Sequence, residues 1–416
     1  MKQKEYESQY VMETYKRKPV QFVSGSGLHL RDVDGLEYLD FFGGSATISA
    51  GHCNPLVTEA LQEQAEKLLH VGNYYYIEKR GQVAEAISAL LNSPNGYQAG
   101  PPDAPAWKTF FGNSGTEAVE GTLKLARRWG YRYLNGAASI VAAQKSFHGR
   151  TFGSLTATGQ PSKQDIFKPL LPGFVQHVEL NDIAQLEAAL DAETEAGRVA
   201  ALLLEPIQGE SGIWPCSTEY LQAARAMTAE RGQLLILDEI QTGYFRTGTA
   251  FAFQGYGIVP DVVAMAKGLG NGMPIGAFAA HGDAANVLEA GDHGSTFGGS
   301  AMAIAAADAA MRALLQMDAG HLAQRVGGYL RSRLSELPQI TDIRGKGQMT
   351  GVTLSLPVAN QIVDAALELA GTKGLGFVIN ATDEQNLRFT PPLCCLEADV
   401  DLLVANLAQL LAQTAL

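Results

Sequence analysis

The chain has 416 residues, 46% of them hydrophobic and 18% charged, so it can bury a large core and has room for two or three domains. Its formal net charge is −12 and no lysine or arginine cluster forms a stripe, which argues against nucleic acid and anionic membranes as partners. Anionic small substrates must then be caught by local arginines.

The opening Met1-Lys2-Gln3-Lys4-Glu5 is too polar for a signal peptide. Residues 17–42 alternate apolar and polar around Gly25-Ser26-Gly27 and Asp34-Gly35, the pattern of short antiparallel strands in an appended small lobe. His52-Cys53 has no partners at metal-ligand spacing, so no metal site is expected. From about residue 55, predicted helices (57–69, 81–91) alternate with apolar runs (106–111, 138–142, 199–204, 234–237, 262–266). That alternation predicts an α/β fold with a mainly parallel sheet flanked by helices, and ligands bound beyond the carboxyl ends of its strands. Residues 93–105, rich in Pro, Gly and Asn, read as a surface loop.

The alanine-rich stretch 301–317 is broken by Asp308 and Arg312 and reads as a packed helix, not a membrane span. Helices at 307–315 and 320–337, a strand pair within 342–356 and a last helix at 397–413 form a second segment of the small lobe. The expected division is 1–60 and 305–416 for a smaller α+β domain made from both chain ends, and 61–304 for a large domain. Cys53, Cys216, Cys394 and Cys395 make no disulfide framework, which suits a reducing cytoplasm.

Two strand ends carry the chemistry. Lys267 follows the apolar run 262–266 and opens Lys-Gly-Leu-Gly-Asn-Gly, while Asp238 closes the run 234–237. A lysine delivered into a pocket loses solvation, which lowers its pKa and frees a nucleophilic amine able to attack an aldehyde. An aspartate on the neighbouring strand can hold a pyridinium nitrogen protonated. The pair suggests pyridoxal phosphate; taken singly, the Asp could be a turn cap and the Lys a solvated surface residue.

Other parts of such a site follow the remaining strands. Gly112-Asn113-Ser114-Gly115-Thr116-Glu117 opens a helix with apolar face Ala118, Thr122, Leu125, Trp129, offering free N–H groups to a phosphate or simply a neutral cap. In Ser146-Phe147-His148-Gly149-Arg150-Thr151, Phe147 could lie on a cofactor ring and Arg150 take a carboxylate; otherwise they are a core Phe and a surface Arg. Glu205-Pro-Ile-Gln-Gly-Glu210 sends one or both carboxylates into the crevice. Arg388, in the apolar run Asn386-Leu387-Arg388-Phe389, needs a negative partner, either Glu210 or a substrate. No Gly-x-Gly-x-x-Gly with a downstream acid follows an early strand, which argues against a dinucleotide-binding dehydrogenase.

These stretches, with Leu-Asp-Glu-Ile-Gln-Thr-Gly from 237, Ala-Lys-Gly-Leu-Gly-Asn-Gly-Met-Pro-Ile-Gly from 266, His-Gly-Ser-Thr-Phe-Gly-Gly from 293 and Leu-Arg-Phe-Thr-Pro-Pro from 387, resemble in order the class-III pyridoxal phosphate aminotransferases. The resemblance spans Tyr10 to the last helix and is strongest to members acting on acetylornithine. It implies a fold-type I transferase that moves the terminal amino group of an ω-amino donor to 2-oxoglutarate, giving glutamate, with N-acetylornithine and arginine biosynthesis the first choice. Ornithine, 4-aminobutyrate and lysine aminotransferases and an aminomutase are the alternatives.

By the same resemblance, Lys267 would carry the cofactor and move the proton, and Asp238 would bind its ring nitrogen. Gln241 would sit near the phenolic oxygen and Phe147 would stack on the ring. Gly115 and Thr116 would hold the phosphate with Thr296 of a second subunit, so a homodimer with a shared active site is implied. Ser295 and Arg150 would contact the donor, Arg388 would bind the α-carboxylate of glutamate or 2-oxoglutarate, and Glu210 would neutralise Arg388 while the donor is bound. Three stretches depart from the family pattern: residues 42–52, Gly299-Ser300-Ala301-Met302, and Asn271 with Met273. These changes bear on the donor, not on the cofactor.

Overall fold

A computed structural model describes residues 2–414, so Met1, Ala415 and Leu416, the outermost ends of the expected small-domain segments, lie outside the described residues. The central sheet contains strands β1 (Lys108–Gly112), β2 (Ser139–Ala143), β3 (Val175–Val178), β4 (Gly197–Leu204), β5 (Leu234–Asp238), β6 (Val262–Met265) and β7 (Gly276–Ala280). Their spatial order is β1-β7-β6-β5-β4-β2-β3, with the short strand Glu193–Thr194 paired to β4 as an eighth member. Only β7 and that short strand run antiparallel to their neighbours.

The apolar runs are continuous because both faces of this sheet are covered. Val141, Leu202, Leu204, Leu235, Leu237, Val263 and Met265 enter one core, with helices Arg80–Asn92, Thr218–Glu230 and Ala301–Gln316. Ile140, Ala201, Leu203, Ile236, Val262 and Ala264 alternate into the other, beneath helix Gly115–Tyr133. That helix lies so close to the sheet that a Cβ at Gly121 would stand 2.1 Å from the Phe278 ring. Glycine there is a packing requirement.

A second body forms from both chain ends. Strand Leu375–Val378 pairs in parallel with Glu37–Asp40, extending the antiparallel strands Phe22–Ser26 and His29–Asp32. Leu28, Leu39 and Phe41 thereby share a core with Val326, Leu330, Ile362, Phe377, Leu403 and Leu407. Beside it stands a sheet of Ile340–Lys346, Met349–Leu354, Asn386–Phe389 and Asn380–Ala381, which carries Arg388 toward the large sheet. Helix Ala301–Gln316 is unbroken across residues 304 and 305 and packs on helix Pro55–Lys67 through Val57, Ala306, Ala309 and Ala310. Among the described residues no helix is long and apolar enough to cross a membrane.

Candidate active site

Register sets the site. Asp238 on β5 is opposite Ala264 on β6, and Leu237 is opposite Leu204 on β4. Asp238, Glu205 and, three residues past Ala264, Lys267 therefore emerge at one edge of the sheet. The loop after β1 (113–116) and the loop after β2 (144–150) leave from the same edge, because β1 and β2 run parallel to β5.

Asp238 is buried, and each of its oxygens has a role. Oδ1 accepts from the Ile240 amide at 3.1 Å, and Oδ2 accepts from Nδ1–H of His148 at 2.8 Å. The turn-cap reading of Asp238 therefore accounts for Oδ1 alone, while Oδ2 is committed to His148 at the sheet edge. His148 is itself buried and its Nε2 has no partner among the described residues. Glu205 accepts from the Phe147 amide at 2.8 Å and the Gly209 amide at 3.1 Å, tying the loops after β2 and β4 together. Burial pushes its carboxyl up to about 7, with Asp238 adding to the rise while His148 and the two amides oppose it. Gln241 is buried, donates from Nε2 to Ser45 O at 3.4 Å, and leaves Oε1 without a partner. A Cβ at Gly209 would stand 1.7 Å from that oxygen, so any larger residue there would push the Gln241 amide out of its place.

Lys267 sits in the loop joining β6 to the reversed strand β7, with φ +44. A left-handed lysine stores on the order of 1–3 kcal/mol of strain, which the rest of the fold must offset. Its ammonium is brought down to about 8, chiefly by desolvation and also by Arg388, with Glu210, Asp238 and Glu205 opposing the fall. Those causes place four charged groups, Arg388, Glu210, Asp238 and Glu205, within electrostatic reach of one amine.

The loop after β1 caps helix Gly115–Tyr133: Ser114 Oγ accepts from the Glu117 amide at 3.3 Å. Gly115 and Thr116 occupy the first two helical positions, whose amides have no intrahelical acceptor. The Thr116 hydroxyl is engaged with Ser154 Oγ at 2.6 Å and accepts from the Arg150 amide at 3.2 Å, so the cradle is joined to the Phe147–Arg150 loop.

At the mouth, Arg388 is buried and fully spoken for. It donates to Asn380 Oδ1 at 2.8 and 3.1 Å, to Gly209 O at 2.9 Å and to Glu210 Oε2 at 3.2 Å. Of the two partners left open by the sequence, Glu210 is the one found here. Its side chain is 37% exposed, so it can leave without passing through protein. The Arg150 guanidinium is exposed and lies 5.6 Å from the half-buried Phe147 ring. Gly43, Gly44, Ser45 and Ala46 form a left-handed turn with φ 55, 57, 62 and 65. Each non-glycine there costs about 1–2 kcal/mol. The turn is braced by Asp40, which accepts from the Phe42 and Gly43 amides at 2.9 and 2.8 Å and pairs with His52 at 2.7 Å. Asn271 accepts from the Ala50 amide at 2.7 Å and donates to Gly51 O at 3.0 Å, so two of the departures from the family pattern touch each other.

The loop carrying Ser295 and Thr296 stands apart. Ser295 Oγ accepts from Asn113 Nδ2 at 3.0 Å, while Thr296 is exposed. Sequence reasoning assigned no role to His148, Asn271 or the residues around Lys163; for His148 the available signal was its place inside the Phe147–Arg150 motif. Among the described residues no group of three or more His, Cys, Asp or Glu could hold a metal ion.

A fold-type I sheet with a desolvated lysine and a buried aspartate on adjacent strands defines a pyridoxal phosphate enzyme. The family model for class-III aminotransferases matches residues 10–411, and the chain belongs to that family. It is 44% identical over 401 residues to the acetylornithine aminotransferase of Caldanaerobacter subterraneus subsp. tengcongensis, covering 95% of each chain. Among solved structures, the ornithine aminotransferase of Toxoplasma gondii superposes with TM-score 0.88 at 30% identity, over 99% of this chain and 94% of that one. The acetylornithine aminotransferase of Elizabethkingia anophelis does so with TM-score 0.82 at 30% identity and 98% of each chain. The protein is an aminotransferase that uses pyridoxal 5′-phosphate.

The residues present fit that cofactor. The crevice offers a low-pKa amine, a buried carboxylate already fixed by His148, helix-start amides for a phosphate, and two buried polar atoms, His148 Nε2 and Gln241 Oε1, that lack partners within the chain. Buried polar atoms without partners are uncommon and mark places where a bound group or water completes the structure.

Proposed function

We propose that this aminotransferase transfers the terminal amino group of an ω-amino acid, N-acetylornithine first, to 2-oxoglutarate, giving glutamate in a step of arginine biosynthesis. Bound pyridoxal phosphate supplies the electron sink that lets a substrate C–H bond ionise. Lys267 would hold the cofactor and, once freed, take the proton from the substrate carbon that bears the amino group and pass it to the cofactor, a task suited to an amine of pKa about 8. Asp238, oriented by His148, would hold the proton on the ring nitrogen. Gln241, Phe147 and the Gly115 and Thr116 amides would hold the cofactor's ring oxygen, ring and phosphate respectively.

The observation that carries the donor reading is the Glu210–Arg388 pair at 3.2 Å. Glutamate needs Arg388 free for its α-carboxylate; an ω-amino donor presents an uncharged methylene chain there and needs the arginine neutralised. A half-exposed carboxylate on a buried arginine serves both. Arg150 and Ser295 then hold the donor's far end. The names of the relatives support acetylornithine; the likeness to ornithine aminotransferases keeps ornithine as the second reading.

We also propose a homodimer in which Thr296 reaches the phosphate of the partner's site. In support, Asn73 donates to Ser295 O at 2.7 Å, joining the 295–297 loop to a segment with Leu68, Leu69 and a 99% exposed Tyr74. So large an uncovered aromatic suits an interface. The small body is proposed to comprise 1–60 and 305–416 and the large one 61–304, with helix Ala301–Gln316 spanning the seam. Four free cysteines support a cytoplasmic site.

The test is a half-reaction series on the yellow holoenzyme with N-acetylornithine, ornithine, 4-aminobutyrate, lysine and glutamate, following loss of cofactor absorbance. N-acetylornithine and glutamate should be the fastest. A holoenzyme bleached faster by ornithine than by its acetylated form would give the donor role to ornithine.

A further inference from the structure

Residues 158–164 leave helix Phe152–Ala157 through the short helix Pro161–Gln164, which places Lys163 near Phe147 and within electrostatic reach of Glu210, Arg150 and Arg388. Two glutamines hold that path. Gln164 donates from Nε2 to the carbonyls of Leu155, Thr156 and Thr158 at 2.8, 3.1 and 2.7 Å. Gln160 donates from Nε2 to the carbonyls of Lys145 and Ser146 at 3.3 and 3.1 Å, and its own oxygen accepts from Lys163 Nζ.

The lysine ammonium is thereby fixed 5.6 Å from the Phe147 ring centroid, the distance at which the Arg150 guanidinium also lies. A free lysine carries about 2 kcal/mol of rotamer entropy, much of it already given up here. Among the described residues neither Lys163 nor Arg150 is in an ion pair. Burial lowers the Lys163 pKa, Glu210 raises it, and Arg150 and Arg388 lower it again. Lys163 thus lies within electrostatic reach of two further cations, Arg150 and Arg388, and of Glu210, which is paired with Arg388; the repulsion among the cations is one that an incoming carboxylate relieves.

Taking the ω-aminotransferase reading as its base, we propose that Lys163 is a specificity-determining residue: with Arg150 it makes the pocket mouth dicationic, favours the far carboxylate of dicarboxylate substrates, and admits an α-amino acid donor only when that α-amino group is acylated. Glutamate and 2-oxoglutarate place a second carboxylate at this mouth when the first is on Arg388. A diamino acid would bring a free ammonium beside Arg150 and Lys163; acylation leaves a neutral amide. Gln160 acts through Lys163 as a positioning residue.

The test compares wild type, Lys163→Met and Lys163→Arg holoenzymes. For Lys163→Met, kcat/KM with glutamate should fall about tenfold, the scale of one partly screened charge. Discrimination between N-acetylornithine and ornithine should shrink by a similar factor, and Lys163→Arg should restore both. As a readout apart from turnover, glutarate should bind Lys163→Met about tenfold more weakly by calorimetry, while the monocarboxylate butyrate binds unchanged. Equal losses for all three amino substrates, or an unchanged glutarate affinity, would overturn the proposal. If wild type is bleached by glutamate but by no ω-amino donor, the donor reading fails instead, and the glutarate arm still decides the role of Lys163.

Discussion

The cofactor end and the substrate mouth of this crevice are built on opposite principles. At the cofactor end, Asp238 and His148 are buried and bonded to each other, and nearby polar atoms stay unpartnered. At the mouth, Arg388 is satisfied several times over, yet one of its partners, Glu210, is partly exposed and removable. The first arrangement suits a group held in one geometry; the second suits the proposed exchange of an internal carboxylate for one on a substrate. Strain follows the same division, since the left-handed Lys267 lies at the fixed end and the left-handed turn 43–46 borders the mouth.

Variants at the two ends should therefore fail differently. Lys267→Ala removes the amine itself, so turnover should drop on the order of 10⁴-fold or more with every donor, and borohydride should no longer fix the cofactor to the chain. A Lys267→Ala protein that still retains reduced cofactor covalently would break the assignment. Asp238→Asn should lower turnover on the order of 10²- to 10³-fold with all substrates alike, while phosphate anchoring, read as cofactor affinity, stays near normal. Near-normal rates would mean that the ring nitrogen needs no carboxylate.

Arg388→Ala sharpens the contrast because its effect should depend on the substrate. The glutamate half-reaction should lose about 10²-fold in kcat/KM, and the ω-amino half-reaction about tenfold at most, since Arg388 is paired internally in that step. Equal losses would remove the exchange of Glu210 for substrate. The smallest effect concerns pH. Because desolvation brings Lys267 down to about 8, the amine is protonated below that value and neutral above it. Capture of pyridoxal phosphate by the apoprotein, followed by absorbance, should accelerate about tenfold per pH unit up to about 8 and then level off. An acceleration continuing to the ordinary lysine range near 10.5 would show that the site does not desolvate the amine.

Much of this was legible from residue order. Buried parallel strands are nearly continuous apolar runs, so β1, β2, β4, β5 and β6 stand out, and the polar residue ending each run marks the crevice. β3 and β7 did not stand out in that way. Val175–Val178 is partly exposed and mixed, and Gly276–Ala280 follows a glycine-rich loop with no turn signature of a reversed strand. The helices at 183–191 and 218–230 likewise show only short apolar stripes, whereas the helix at 359–373 carries a regular one through Ala359, Ile362, Val363, Ala366, Leu367 and Ala370 that the sequence reading left unused.

The sequence by itself determined the fold class and marked the candidate amine and carboxylate, because burial period and strand-end residue type are local properties of the chain. It also required an anion for Arg388, since a buried guanidinium demands one wherever it lies. Only the tertiary structure decided which anion it was, that His148 orients Asp238, that Asn271 clasps Ala50 and Gly51, and that Lys163 stands beside Arg150. Those pairings join residues 90, 178 and 221 positions apart in two of the bodies described, and distance along the chain carries no record of which side chains the packing of sheet against sheet brings together.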